Sequence, residues 1–238
     1  MNPDRSVSGR SPRGLPPGGP PRYPGRMRWT LPNILTVGRL LAAPALPLAF
    51  VLLLRPWSDA VAFVLFVGAA ITDWFDGHLA RKWKEVSRFG AMLDPIADKA
   101  MVIIATAMLL GLFDLHALVM VPAAIILFRE VFVSGLREFL GQEASNLQVT
   151  KLAKWKTTVQ MVAISVLLAH GVFAVLAALA AERAAAQGAA DPWDSFWTVL
   201  GLLTFWAGII LLWAAAALTA ITGWDYFSKA RPLLRDDR

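Results

Sequence analysis

Polar residues in this chain are gathered into short clusters. Between them lie six apolar runs, at residues 33–54, 60–79, 93–112, 117–140, 152–177 and 196–220. Each is close to the roughly 20 residues a helix needs to cross a bilayer. The pattern therefore predicts an all-α integral membrane bundle of six transmembrane helices. The stretch 152–181 also reads as one long tilted helix, or as a helix with a cap outside the bilayer. Residues 28–230 read as one membrane domain with no internal repeat, and 231–238 as a short C-terminal tail. Residues 1–27 differ in kind: they are rich in Pro, Gly, Ser and Arg. The run Pro16-Pro17-Gly18-Gly19-Pro20-Pro21 cannot form a helix or a central strand, so a disordered tail is expected. It lacks the apolar core of a signal peptide. Its arginines, Arg5, Arg10, Arg13, Arg22 and Arg26, can either touch anionic headgroups or simply fix the topology.

Composition agrees with the pattern. The 238 residues are 57% hydrophobic, and the mean hydropathy is +0.54, too apolar for an ordinary soluble domain. The formal charge of +6 is read as basic loops rather than nucleic-acid binding, because the cations alternate along the connections. The N-terminal tail is basic. So are the second-to-third connection (Arg81, Lys82, Lys84, Arg88), the fourth-to-fifth (Arg137, Lys151, Lys154, Lys156) and the C-terminal tail (Lys229, Arg231, Arg235, Arg238). The intervening connections are poor in positive charge. Both termini are thus expected on the cytoplasmic side. There are no cysteines and only 3 histidines, which excludes disulfides and thiolate metal sites and disfavours a histidine-rich zinc site. A metal here would be a hard cation held by carboxylate oxygen.

The candidate chemistry is concentrated at residues 73–98. Asp73, Asp76, Gly77 and Ala80 recur at i, i+3, i+4 and i+7, so they share one helix face. Gly90, Asp94 and Asp98 form a second stripe, four residues apart. Four carboxylates at the edge of hydrocarbon are costly, and such groups are functional candidates. Two helices that each offer two acids and a small residue suggest a paired-metal site with room for a phosphate. Pro95 follows Asp94 and is tolerated in a first helical turn, so the third helix is expected to begin near Asp94 as its cap; a simple kink is the alternative.

The full spacing, Asp-x-x-Asp-Gly-x-x-Ala-Arg, eight residues, then Gly-x-x-x-Asp-x-x-x-Asp, resembles the signature of the CDP-alcohol phosphatidyltransferases, with no departure from Asp73 to Asp98. The resemblance implies attack on the lipid-side phosphorus of a CDP-linked lipid, with CMP as leaving group. Two Mg2+ or Mn2+ ions on Asp73, Asp76, Asp94 and Asp98 would counter the charge. Gly77, Ala80 and Gly90 would leave room for the nucleotide, and Arg81 would bind phosphate. Asp98 is the general base in the family's assignment, though the sequence alone does not separate a base from a fourth metal ligand. Asn33, Thr36 and Arg39 resemble the Asn-x-x-Thr-x-x-Arg element that opens many members, which implies nucleotide or phosphate contact. Helix capping is the plainer reading of Asn33 and Thr36.

A third constellation bears on the acceptor: Arg129-Glu130, Arg137-Glu138, then Lys151, Lys154 and Lys156. A cationic pocket of Arg129, Arg137, Lys154 and Lys156 would suit an acceptor carrying its own phosphate. Snorkelling and topology explain the lysines equally well, but explain Arg129 less well, inside an apolar run. These stretches are similar to family members that make phosphatidylglycerophosphate from CDP-diacylglycerol and sn-glycerol 3-phosphate, over roughly residues 29–230. The resemblance implies a homodimer in the bacterial inner membrane. The long proline-rich N-terminal tail departs from it. Sister enzymes that use inositol phosphate, serine or phosphatidylglycerol as acceptor share the acid motif. A cation transporter would place acids near the midplane on several helices rather than at one basic face.

Overall fold

The computed structural model describes residues 31–83, 88–141, 143, 151–188 and 191–234; within these the side chains at 32, 74–83, 88 and 151–154 lie outside the description. The expected disordered tail at 1–27 lies outside it as well. Six α-helices follow one another: α1 (Leu31–Leu52), α2 (Trp57–Trp83), α3 (Arg88–Leu112), α4 (Ala117–Leu140), α5 (Lys151–Gln187) and α6 (Pro192–Ala230), then a 3-10 turn at Arg231–Leu234. Among the described residues, 5 of these helices are long and apolar enough to cross a membrane; α2 is not among them. The chain is a multi-pass, all-helical membrane protein.

The helix ends show where hydropathy and helix formation part company. α4 has the expected limits. α5 runs unbroken for 37 residues and α6 for 39, well beyond the apolar runs within them. The long-helix reading of 152–181 is therefore the one observed. At the start of α6 Pro192 occupies the first turn, and the Asp194 carboxylate accepts from the Asp191 backbone N–H at 2.9 Å, a capping arrangement that fixes this end. α3 begins at Arg88, so Asp94 is interior to the helix and Pro95 sits inside it. Asp94 is not the cap that the proline suggested.

α1, α2 and α3 pack together as one group. α6 packs along α5 and α4, and the two groups meet where α2 touches α5 and where α3 touches α4 and α5. The core is built from Leu46, Phe66, Met101, Leu109, Ile126, Ile164, Leu167 and Leu212, with Ala43, Ala62, Ala105, Ala163, Ala215 and Ala216 between them. Alanines at helix contacts let backbones approach closely, which is how helices associate in lipid. Gly208 on α6 serves the same end: a Cβ there would lie 2.5 Å from Leu167 Cδ2 on α5. Large apolar side chains such as Leu41, Phe128, Phe139, Trp206 and Trp224 face outward, as a lipid-facing surface requires.

At the end remote from the acid motif, Arg55 donates twice to buried Asp59, at 2.7 and 2.9 Å. Asp59 lies against Gly171, where a Cβ would meet its Oδ1 at 2.1 Å. This pair ties the α1–α2 connection to α5.

Candidate active site

Three helices bring the acid motif together. α2 carries Asp73 in its C-terminal half, and α3 carries Gly90, Asp94 and Asp98 along its first turns. α1 contributes Asn33, Thr36 and Arg39, all buried and on one side of the helix. These three lie inside α1, which begins at Leu31, so none of them caps it. A buried arginine in an apolar span needs carboxylate partners, and Arg39 has them. Its Nη1 donates to Asp73 and, at 2.5 Å, to Asp98; its Nη2 lies 3.8 Å from Asp94. Thr36 Oγ1 donates to Asp94 at 2.6 Å.

The arrangement is lopsided in a useful way. The Arg39 side chain is 2% exposed, whereas those of Asp73, Asp94 and Asp98 are 47%, 52% and 52% exposed. The acids are gripped from below by one guanidinium and open above. Among the described side chains one positive charge stands against three negative ones, a surplus of negative charge on the open side. Hard carboxylate oxygens with surplus charge fit a divalent ion of the magnesium type. Among the described residues, no group of three acidic or histidine side chains already closes on a common point that could hold an ion. The side chains of Asp76, Gly77, Ala80 and Arg81 lie outside the description, although their backbone continues α2.

A second polar cluster lies between α4, α5 and α6. Glu130 on α4 accepts from Lys156 Nζ of α5 and, at 3.4 Å, from its neighbour Arg129. All three side chains are largely buried. Arg129 fits against α6 because position 223 is glycine: a Cβ there would sit 3.0 Å from Arg129 Cγ. Arg137, two turns further along α4, lies over the ring of Tyr226 on α6, 5.1 Å from its centroid, a cation–π contact. The expected acceptor cations Arg129, Arg137 and Lys156 are thus gathered in one region, while the Lys154 side chain lies outside the description.

Thr36 and Arg39, expected at the nucleotide or phosphate, are bonded to the acids of the cluster itself. Glu130 is the hub of the cationic cluster, and Tyr226 is its wall. Tyr226 lies far along the chain in an ordinary apolar helix, with no local signal to single it out.

Known proteins match this chain over most of its length. The family model described as CDP-alcohol phosphatidyltransferase matches residues 29–222. A protein of Cereibacter sphaeroides is 54% identical over 222 residues, which cover 89% of this chain and 100% of that protein. One of Rickettsia bellii is 40% identical over 201 residues, 84% of this chain and 95% of the relative. One of Escherichia coli K12 is 37% identical over 213 residues, 88% of this chain and 100% of the relative. All three bear the name CDP-diacylglycerol–glycerol-3-phosphate 3-phosphatidyltransferase. With a family match that spans most of its length and takes in every acid of the motif, this chain belongs to the CDP-alcohol phosphatidyltransferase family.

Proposed function

We propose that this chain transfers the phosphatidyl group of CDP-diacylglycerol to sn-glycerol 3-phosphate, giving phosphatidylglycerophosphate and CMP. The relatives' name supports the acceptor. The observation that carries the reading is the pairing of two oppositely charged clusters in one bundle: acids open on one side around Arg39, and cations around Glu130. A pyrophosphate-linked lipid and a phosphorylated alcohol are the two substrates such a pair would serve.

In this reading Asp73, Asp76, Asp94 and Asp98 would hold two magnesium or manganese ions, which supply neutralising charge to the pyrophosphate oxygens. Asn33, Thr36, Arg39 and Arg81 orient the donor, with Gly77, Ala80 and Gly90 leaving space for the nucleotide. Arg39 and Thr36 do so indirectly, by fixing the carboxylates. Asp98 takes the proton from the acceptor hydroxyl. That oxygen bonds to the lipid-side phosphorus as the bond from phosphorus to the CMP oxygen breaks, and CMP leaves with the electron pair. Arg129, Arg137, Lys154 and Lys156 hold the acceptor phosphate by charge-assisted hydrogen bonds. The alternation of basic connections supports a cytoplasmic active site and cytoplasmic termini in the bacterial inner membrane, and a homodimer is the expected assembly.

The test is CMP release from CDP-diacylglycerol by purified protein with a panel of acceptors. Glycerol 3-phosphate should be used and glycerol should be very poor. Efficient use of glycerol, or preference for inositol phosphate or serine, moves the assignment to a sister enzyme.

A further inference from the structure

Buried polar atoms in folded proteins are nearly always hydrogen-bonded, so those that are not call for an explanation. Among the described residues, Arg129 Nε, Gln160 Nε2, Thr219 Oγ1 and Tyr226 OH are buried without a hydrogen-bond partner, as are Ser58 Oγ on α2 and Thr106 Oγ1 on α3. The first four all belong to the helices that form the cationic cluster. Gln160 lies one helical turn beyond Lys156 on the same face of α5, and is 2% exposed. Thr219, Thr222, Gly223 and Tyr226 stand at i, i+3, i+4 and i+7 on α6 and are all buried, so they form one stripe. That stripe meets Arg129 at Gly223 and Arg137 at Tyr226.

The helical hydroxyls fall into two groups. A Ser or Thr hydroxyl in an apolar helix is ordinarily satisfied by the carbonyl four residues back. Thr222 does this, donating to Leu218 O at 2.8 Å, as do Ser134, Ser165 and Thr204. Thr219 does not, although it is fully buried; Ser58 and Thr106 share this in the other half of the bundle, and of the three only Thr219 stands on the helices of the cationic cluster. Its hydroxyl is held away from the bond that its helix would supply.

We infer that Tyr226, with Gln160 and Thr219, forms a neutral hydrogen-bonding patch that reads the non-reacting hydroxyl of a polyol phosphate acceptor. This rests on the acceptor reading above. A glycerol phosphate presents one phosphate and two hydroxyls, of which one attacks. The cations match the phosphate. The remaining hydroxyl both donates and accepts; the Tyr226 and Thr219 hydroxyls can do either, and the Gln160 amide nitrogen donates. A site built to hydrogen-bond a hydroxyl discriminates against the analogue that lacks it, because its own buried groups are then left unpaired. Tyr226 has two separable jobs: its ring carries Arg137, and its hydroxyl faces the acceptor.

The experiment compares sn-glycerol 3-phosphate with 3-hydroxypropyl phosphate, which lacks only the central hydroxyl. CMP release is measured for wild type, Tyr226→Phe and Thr219→Val. Tyr226→Phe keeps the ring and hence the Arg137 contact. Wild type should prefer glycerol 3-phosphate in kcat/KM. Tyr226→Phe should lose about fivefold to tenfold on glycerol 3-phosphate, the scale of one neutral hydrogen bond, and be unchanged on the deoxy acceptor, so that the preference collapses. Thr219→Val should reduce the preference in the same direction. Equal use of both acceptors by wild type overturns the inference, as does a Tyr226→Phe enzyme that keeps the wild-type ratio, whether or not its overall rate falls. If wild type uses neither acceptor, the glycerol phosphate reading falls instead.

Discussion

The two polar clusters of this protein are opposites in construction. In the α1–α3 half, three described acids surround one buried cation, Arg39. In the α4–α6 half, Arg129 and Lys156 surround one largely buried acid, Glu130, with Arg137 close by on Tyr226. Each cluster is anchored in the membrane by a counter-ion of the minority sign, and each keeps a surplus of the majority sign. The anchors answer the cost of placing like charges together in a low-dielectric bundle. The surpluses are what a ligand can use: negative charge to gather divalent cations, positive charge to gather a phosphate. Function in this reading lies in the imbalance, and stability lies in the anchor.

That contrast can be broken from either side. The largest effect is expected at Asp98, on the open face of the acid cluster. As a general base it matters most in the transition state. Asp98→Asn should therefore cut turnover by about 10²–10⁴-fold while leaving CDP-diacylglycerol binding nearly intact, and high magnesium or manganese should not restore it. Recovery of near wild-type turnover at high metal would move the base elsewhere, with Asp94 the next candidate.

Next comes the anchor of the other cluster. Glu130→Gln leaves Lys156 and Arg129 buried without their carboxylate, and loss of one partner of a buried pair costs about 3 kcal/mol or more. The variant should unfold at clearly lower temperature in detergent. A wild-type melting curve would show that Glu130 is not an anchor. The smallest effect is expected at Arg137, which is exposed and, among the described residues, held over Tyr226 rather than in an ion pair. Arg137→Ala should raise KM for glycerol 3-phosphate by about tenfold, the scale of a hydrogen bond to a charged group, with little change for CDP-diacylglycerol. Equal weakening of both substrates would contradict the division of labour between the halves.

The two halves also differ in how far the sequence revealed them. The acid stripe was legible because its members are close in the chain and recur at helical spacing, so Asp73, Asp94 and Asp98 needed no tertiary information. Their anchor was not, because Arg39 lies 34 residues before Asp73 and hydrogen-bond partners across that distance depend on how helices pack. The cationic half is spread over three helices. Arg129 stood out as a charge inside an apolar run, but Tyr226 and Thr219 look like ordinary lining of α6. Among the helices, α4 was legible at both ends because a turn bounds it on one side and Gly141 on the other. α5 and α6 were read short because hydropathy ends at the edge of hydrocarbon, whereas backbone hydrogen bonding continues past it through Ala-rich and polar turns. Asp94 was misread as a cap because proline near a helix start is a strong local signal, and it outweighed the apolar turn of Phe89, Ala91, Met92 and Leu93 that continues the helix back to Arg88.

The most direct test of the surplus-charge account is the divalent-metal dependence of CMP release. Protein stripped with a chelator is titrated with magnesium or manganese, beside an Asp73→Asn variant. The account predicts no release in chelator, full recovery of wild type on titration, and a higher metal requirement for Asp73→Asn, with partial rescue at high concentration. Full release of CMP in the presence of chelator would contradict it.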